Sequence, residues 1–348
     1  MPASPSGSTA TRRRRVGVIG TFVWDVIHGR DGRTVPVEEW GGITYALSGL
    51  DAALSDEWEI VPLCKIGVDL AERGRAFCRS LRHLASDSAL IEVPSPTNRV
   101  ELRYLDDERR TEQLSGGVPG WTWLGLKPLI AAACVDALYI NFHSGWELDL
   151  ATSQLLRQYF RGPIYCDLHT LVMIVQPDGL RVARPLPEVA AWCSCFDVLQ
   201  VNEDEMRMMA PDSMALAATA MAAGVSCLCV TLGKRGAVYV AAPGIERLID
   251  VPRVSGHSSA LSTSPRGGRG ALGPLRTGLI PSVVPRVDGP GDPTGCGDVW
   301  GATHFSRLLA GDMFTDAIRA ANLAASRNVE HRGATALAAY LRGELSTT

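Results

Sequence analysis

The sequence predicts an α/β domain of three layers, a mostly parallel central sheet flanked by helices, with a small β lid. Short β-rich apolar runs alternate with helical patterns, the order expected when crossover helices join parallel strands. Two stretches, 98–105 and 111–114, instead alternate apolar and polar residues around a charged turn, Asp106-Asp107-Glu108-Arg109-Arg110, and read as lid strands. A length of 348 residues suits one large domain carrying such an appendage.

Residues 1–15 are rich in Ser, Pro and Thr and end in Arg12-Arg13-Arg14-Arg15, which reads as a disordered basic tail. A secretion signal is not expected, because the apolar run after it stops at Trp24-Asp25 with no small-residue cleavage site. The folded domain is expected over 16–345. Its strands fall at 16–19, 59–62, 137–140, 164–167, 198–201 and 227–231, with a hairpin strand near 237–241. Helices are expected at 46–54, 70–84, 150–160 and 213–223, the last closed by Gly224. Two more, 299–310 and 316–329, end the chain, with Thr315 capping the second. Lid segments are placed at about 30–44 and 95–116. The stretch 255–284, rich in Ser, Gly, Pro and Arg and without periodicity, reads as a flexible insertion on the surface.

Composition narrows the function classes. With 34 basic and 37 acidic residues the net charge is -3, which gives neither a nucleic-acid nor a membrane-binding surface. No run of about 18 uncharged apolar residues is present to span a bilayer. Nine cysteines, an odd number set in apolar runs such as Val225-Ser226-Cys227-Leu228-Cys229-Val230, suit reduced thiols in a cytoplasmic protein. The pairs Cys193/Cys195 and Cys227/Cys229 lack a zinc-knuckle spacer and read as buried packing.

The chemistry concentrates in Thr294-Gly295-Cys296-Gly297-Asp298, directly before a helix. Backbone N–H groups at a helix start point at an anion with the dipole behind them, and glycines let the loop approach phosphoryl oxygens. Asp298 beside that pocket would accept the proton of an attacking hydroxyl. The plain alternative is an N-cap aspartate on a Gly-rich turn. The loop is not a Walker A sequence, and Val16-Gly17-Val18-Ile19-Gly20 lacks the third glycine of a dinucleotide fingerprint. His143 and His169 follow strand-like runs, where α/β sheets bind ligands, although a lone histidine is more often structural. Tyr45 reads as a core aromatic rather than a stacking platform, while Trp40 would either cover a substrate or cap the lid.

Asp292-Pro293-Thr294-Gly295-Cys296-Gly297-Asp298 resembles the Asp-Thr-x-Gly-Ala-Gly-Asp signature of the ribokinase-like carbohydrate kinases of the phosphofructokinase B type. Other pieces follow that family's order over about 16–341: Val18-Ile19-Gly20 with Asp25, the diglycine Gly41-Gly42, Lys65-Ile66-Gly67-Val68-Asp69, Asn202-Glu203-Asp204-Glu205, Thr231-Leu232-Gly233 with Gly236, and Asn322 with Gly333-Ala334. The resemblance implies the ribokinase-like fold and ATP-dependent phosphorylation of a sugar or sugar-like alcohol. Asp298 would be the base, with the amides of Gly295, Cys296 and Gly297 as anion hole. Asp25, Gly41 and Gly42 would hold sugar hydroxyls. Thr231, Gly233, Gly236, Asn322 and Gly333 would line the nucleotide, and Asn202 and Glu205 would organise Mg²⁺ indirectly through its waters. It leaves open a monovalent cation near Asp292 and Thr294 and a homodimer formed through the lid.

Three departures stand out. Pro293 replaces Thr, Cys296 replaces Ala, and Ile43-Thr44-Tyr45-Ala46 follows the diglycine where relatives often place Asn, which removes a ribokinase-specific substrate claim. The Cys296 thiol, beside a helix N-terminus, is expected to have a lowered pKa and to be sensitive to alkylation. The rival functions are a nucleoside kinase of the same superfamily and a non-catalytic regulator that binds a sugar or nucleotide.

Overall fold

The computed structural model describes residues 12–28, 35–104, 110–251, 273–286 and 291–345. Eight strands form the central sheet, in the order Arg276–Ile280, Ala237–Ala241, Cys227–Thr231, Val198–Asn202, Ile164–Asp167, Ala137–Asn141, Arg14–Ile19 and Trp58–Pro62. The last six run parallel, and the first two are joined antiparallel at one edge. Parallel strands need crossover helices, which cover both faces, so these strands are apolar nearly throughout.

Alternation along the strands divides the interior into two layers. Val16, Val18, Tyr139 and Tyr165 face one layer, packed with Leu47, Val299, Trp300 and Ile318 from the helices Ile43–Ala53, Cys296–Leu309 and Phe314–Val329. Ile19, Leu138, Ile140 and Leu199 face the other, against Leu126, Leu156 and Leu216 from Trp123–Ala133, Leu150–Tyr159 and Ser213–Ala223. The paired cysteines Cys193, Cys195, Cys227 and Cys229 are buried in these layers. Among the described residues no helix is long and apolar enough to cross a membrane.

The lid is a separate four-stranded sheet in the order Val37–Gly42, Phe22–His28, Asn98–Tyr104 and Arg110–Ser115. Val23, Ile27, Val100, Leu102 and Leu114 share one face. The opposite face carries Phe22, Trp24 and Trp40, whose rings meet edge-to-face at 5.0–5.5 Å. Such pairs contribute about 0.5–1.5 kcal/mol each beyond their burial. Trp40 therefore caps the lid. The expected end of the first apolar run at Trp24-Asp25 is instead mid-strand, because Trp24 and Asp25 point to opposite faces of a pleated ribbon.

Three expectations need correction. The helix placed at 70–84 spans only Ala71–Arg79. Beyond it the backbone pairs with the edge strand, with Ile60 N–H donating to the His83 carbonyl at 2.7 Å and Ala85 N–H to the Ile60 carbonyl at 2.9 Å. Thr315 does not cap the last long helix, which starts at Phe314; the Phe314 N–H is satisfied by the Glu246 carbonyl at 2.9 Å. The insertion placed at 255–284 is not irregular throughout, since Arg276–Ile280 forms the edge strand on Ala237–Ala241. Its portion 255–272, residues 30–34 of the expected lid, positions 106–109 of the charged turn and positions 1–11 of the tail lie outside the described residues.

One unexpected element bears on function. A short hairpin, Met173–Val175 with Arg181–Ala183, leans against the lid edge, where Leu114 N–H donates to the Gly179 carbonyl at 2.8 Å.

Candidate active site

The C-terminal ends of four parallel strands open into a cleft of about 260 Å³ roofed by the apolar lid face, the position where open α/β sheets bind ligands. Its floor is the loop that precedes the helix Cys296–Leu309. Asp292 Oδ1 accepts the Thr294 N–H at 2.9 Å and tightens that loop. Gly295 then takes φ +75°, and a Cβ there would lie 2.2 Å from the Tyr45 ring, so both conformation and space demand glycine. Tyr45 is 2% exposed and acts as the wall that shapes this turn.

Gly295 is the N-cap, with no side chain capping the helix, and Asp298 is its third residue. The N-cap alternative for Asp298 is thereby excluded. Its carboxylate turns toward the sheet, where Oδ1 accepts Asn141 Nδ2–H at 2.7 Å and pairs with His143 Nε2 at 3.0 Å. Burial alone would raise the Asp298 pKa, but His143, His169 and Asn141 outweigh it and hold the carboxyl below its usual value. Gln200 braces the same turn, its Nε2 donating to the Gly297 carbonyl at 3.0 Å and to Asp167 Oδ2 at 3.1 Å.

Beside Asp298 sits an acidic cluster with one histidine. Burial and the neighbouring Glu205 push the Asp167 carboxyl well above its usual value. His169, at φ 32° in the left-handed region, pairs its Nδ1 with Glu205 Oε1 at 3.3 Å. Burial would lower its pKa, but Glu205, Asp298 and Asp167 push it up to about 9. Asn202 and Glu205 form a reciprocal capping box: Glu205 N–H donates to Asn202 Oδ1 at 2.9 Å and Asn202 N–H to Glu205 Oε2 at 2.8 Å. Their hard oxygens and that of Asp167 line the cleft, which fits a cation held mainly by phosphates and water. Among the described residues no three His, Cys, Asp or Glu side chains converge on a complete metal cage.

The other side of the cleft lies under the lid. Asp25 projects from Phe22–His28 with Val23, beside Val100, Leu102 and Glu112 from the neighbouring strands. Gly41 permits this placement, since a Cβ there would come within 1.9 Å of Asp25 Oδ2. Arg181, from the small hairpin, enters from the side and pairs Nη1 with Glu112 Oε2 at 3.0 Å.

No protein-family model matches this chain, and no curated protein does. Solved structures do. A nucleoside kinase from Burkholderia thailandensis, determined with inosine, superposes with a TM-score of 0.64 at 16% identity, over 93% of this chain and 94% of that one. A pyrophosphate-dependent kinase in the ribokinase family, bound to a pyrophosphate analog and myo-inositol, gives 0.65 at 15% identity, over 91% and 96%. Ribokinase from Giardia lamblia gives 0.64 at 16% identity, over 94% and 96%. The fold is ribokinase-like.

Within the ribokinase-like fold, the cleft brings together most of the residues singled out in the sequence. Asp25, Gly42, Asn202, Glu205, Thr231, Gly233, Gly295, Cys296, Gly297 and Asp298 all line it, as do His143 and His169. Gly41, Gly236, Asn322 and Gly333 do not. Gly236 packs under the backbone of Ile280 and Ser282, and Gly333 against Glu39. Asn322 is buried and fully engaged: Oδ1 accepts from Trp300 Nε1 at 2.7 Å, and Nδ2 donates to the Pro281 carbonyl at 2.8 Å.

The expected low Cys296 pKa is wrong. Burial pushes the thiol up to about 12, and its sulfur sits against the Asn328 amide at 3.3 Å rather than in the open pocket. Thr294 likewise directs its carbonyl to Asn328 Nδ2 at 2.8 Å. Sequence reasoning missed Asn141, Asp167, Gln200, Glu112 and Arg181. A signal existed for the first two, each the polar residue closing an apolar strand. Arg181 offered none, because its hairpin has no periodic pattern.

Proposed function

We propose that this chain is an ATP-dependent kinase that transfers the γ-phosphoryl group to a hydroxyl of a sugar or sugar-like small molecule. The observation that carries this reading is the placement of Asp298 one helical turn inside a Gly-rich helix start, facing the same cleft as the Gly295, Cys296 and Gly297 segment. Acceptor hydroxyl, base and anion-binding amides thus meet at one point.

Asp298 Oδ1 is occupied by Asn141 and His143, so Oδ2 takes the proton of the attacking hydroxyl. The amides of the helix start would stabilise charge on the transferring phosphoryl oxygens. Asn202 and Glu205 would hold the waters of a phosphate-bound Mg²⁺, which supplies charge neutralisation when present. Asp25 and Gly42 bind the acceptor from the lid side, and the apolar lid face excludes water. Thr231 and Gly233, which line the cleft, would face the donor.

A nucleoside acceptor is the second reading, favoured by Val23, Val100 and Leu102, which form an apolar ceiling able to cover a base. The test is ADP release by the purified full-length protein with MgATP across a panel of sugars, polyols and nucleosides, repeated with pyrophosphate as donor and phosphate release as the readout. Stimulation by a sugar or polyol supports the first reading and by a nucleoside the second. Absence of donor turnover with every acceptor and either donor would leave a binding regulator instead.

A further inference from the structure

We infer that Arg181 ties the lid to the base: ion-paired to Glu112 on the lid strand, it clamps the main chain of His143, and His143 holds one oxygen of Asp298. This rests on the kinase reading above and adds two positioning residues, Arg181 and His143, together with a reason for the base to be in register only when the lid is seated.

The links are short and enclosed. Glu112 and Arg181 have side chains 13% and 4% exposed and meet at 3.0 Å. A second guanidinium N–H of Arg181 donates to the His143 carbonyl. His143 and Asp298 side chains, 6% and 13% exposed, meet at 3.0 Å. A buried arginine bonded at two separate points is a rigid strut, since its planar fork fixes both directions together.

His143 is anchored from its other side as well. Glu147, 2% exposed, gathers the N–H groups of His143, Ser144 and Gly145 and the hydroxyl of Thr21 at 2.6–3.0 Å. The loop after the strand Ala137–Asn141 is therefore held by two buried charges of opposite sign, Glu147 at the amide and Arg181 at the carbonyl. Glu147 joins His143 to Thr21, in the short link between the sheet strand Arg14–Ile19 and the lid strand Phe22–His28, whereas Arg181 joins it to Glu112 of the lid. The hairpin that supplies Arg181 is itself docked on the lid edge, through Leu114 to Gly179 and Gln113 Nε2 to the Asp178 carbonyl at 2.7 Å. Seating the lid and fixing the imidazole are consequently one packing event.

The base reports on this linkage. Besides His143 and Asn141, the groups facing Asp298 are His169 and Asp167 from the next strand end, Tyr139 from the strand, Tyr45 from the first helix and Cys296 from its own turn. Displacing His143 leaves only His169 and Asn141 to offset burial and the acidic neighbours, so the carboxylate protonates at higher pH. A purely structural arginine would leave that midpoint where it was.

The experiment is a ¹³C-carboxyl NMR titration of the full-length protein labelled at aspartate, with the Asp298 signal assigned by its loss in D298N. In His143→Phe the midpoint should rise by about one pH unit or more. Arg181→Met should raise it in the same direction, and the double variant should rise no further than His143→Phe alone. Should Arg181→Met fail to fold, Glu112→Gln, which keeps the shape of the side chain and weakens the pair, is read in the same way. A midpoint that moves in His143→Phe but stays put in Arg181→Met, or in Glu112→Gln where it replaces it, overturns the link to the lid. A midpoint unmoved in His143→Phe overturns the whole inference. The titration needs no acceptor, so failure of the kinase reading, seen as absent phosphoryl transfer, is a separate result.

Discussion

The two halves of the cleft, the one proposed to handle phosphate and the one proposed to take the acceptor, are built in different ways. The phosphate half is nearly one continuous piece: Asp292 tightens a turn, Gly295 caps a helix, and Asp298 follows one turn inside it. The acceptor half is assembled from four distant pieces, with Asp25, Glu112, His143 and Arg181 each brought by a different element. Contiguous sites inherit their geometry from local backbone rules, whereas assembled sites depend on lid and hairpin docking. The phosphate half should therefore fail chemically when altered, as should His143 and Arg181 through their hold on Asp298, whereas Asp25 on the lid side should fail in binding.

The largest effect is expected at Asp298. Asp298→Asn keeps size and both donors to Oδ1 but removes the proton acceptor, so kcat should fall by about 10²–10⁴-fold with donor affinity kept. Steady-state kinetics with the acceptor found by the panel, together with nucleotide titration, checks both parts. Near-normal kcat would remove the base assignment and with it the chemical character of this half.

Gly295→Ala comes next. The new methyl meets the Tyr45 ring and the residue must hold φ +75°, which displaces the anion-binding turn. A misplacement of this kind costs about 10–10²-fold in kcat. Gly295→Ala combined with Tyr45→Leu should recover part of the loss by opening space, leaving the backbone strain alone. No recovery in the pair would place the whole cost on the conformation.

This contrast also explains what the sequence disclosed. The parallel strands ending at Asp167 and Thr231 were legible because their buried runs are short and apolar, and Gly224 marks its helix end by a left-handed turn at φ 97°. The Asp298 turn was legible because glycines at fixed spacing carry conformational meaning. The lid strand Phe22–His28 was not, since Trp24 and Asp25 interrupt an apolar run although they serve two faces. Arg181 and Glu112 were not, because an ion pair 69 positions apart leaves no local trace. Cys296 misled for a related reason: its place at a helix start was read correctly, but the packing that half-buries it and engages its thiol comes from the distant helix Phe314–Val329.

A smaller effect, on binding, is expected at Asp25. Replacing a carboxylate that accepts hydroxyl donors by an amide weakens a charged hydrogen bond, so Asp25→Asn should raise the acceptor KM by about 10-fold or more. The donor KM should stay put and kcat should change less, since Asp25 projects from a lid strand and not from the helix start that carries Asp298. If kcat fell as far as in Asp298→Asn with KM unchanged, the division between a chemical and a binding half would be lost.

The smallest effect is predicted for Cys296, which lies inside the phosphate half yet contributes only its main chain. With the thiol pushed up to about 12, the thiolate fraction at pH 7.5 is on the order of 10⁻⁴ to 10⁻⁵, and the thiolate is the form that reacts with alkylating agents. Exposed Cys134 should be labelled first by iodoacetamide in the native protein, as mass spectrometry of the digested protein would show. Activity should survive that labelling. Cys296→Ala should keep kcat within about twofold, because alanine leaves the amide in place and the lost sulfur bonds the Ala325 carbonyl and the Asn328 amide, away from Asp298. Loss of activity in step with Cys296 labelling under native conditions would mean that the turn opens in solution. The contiguous half would then be the mobile one, and the comparison would have to be reversed.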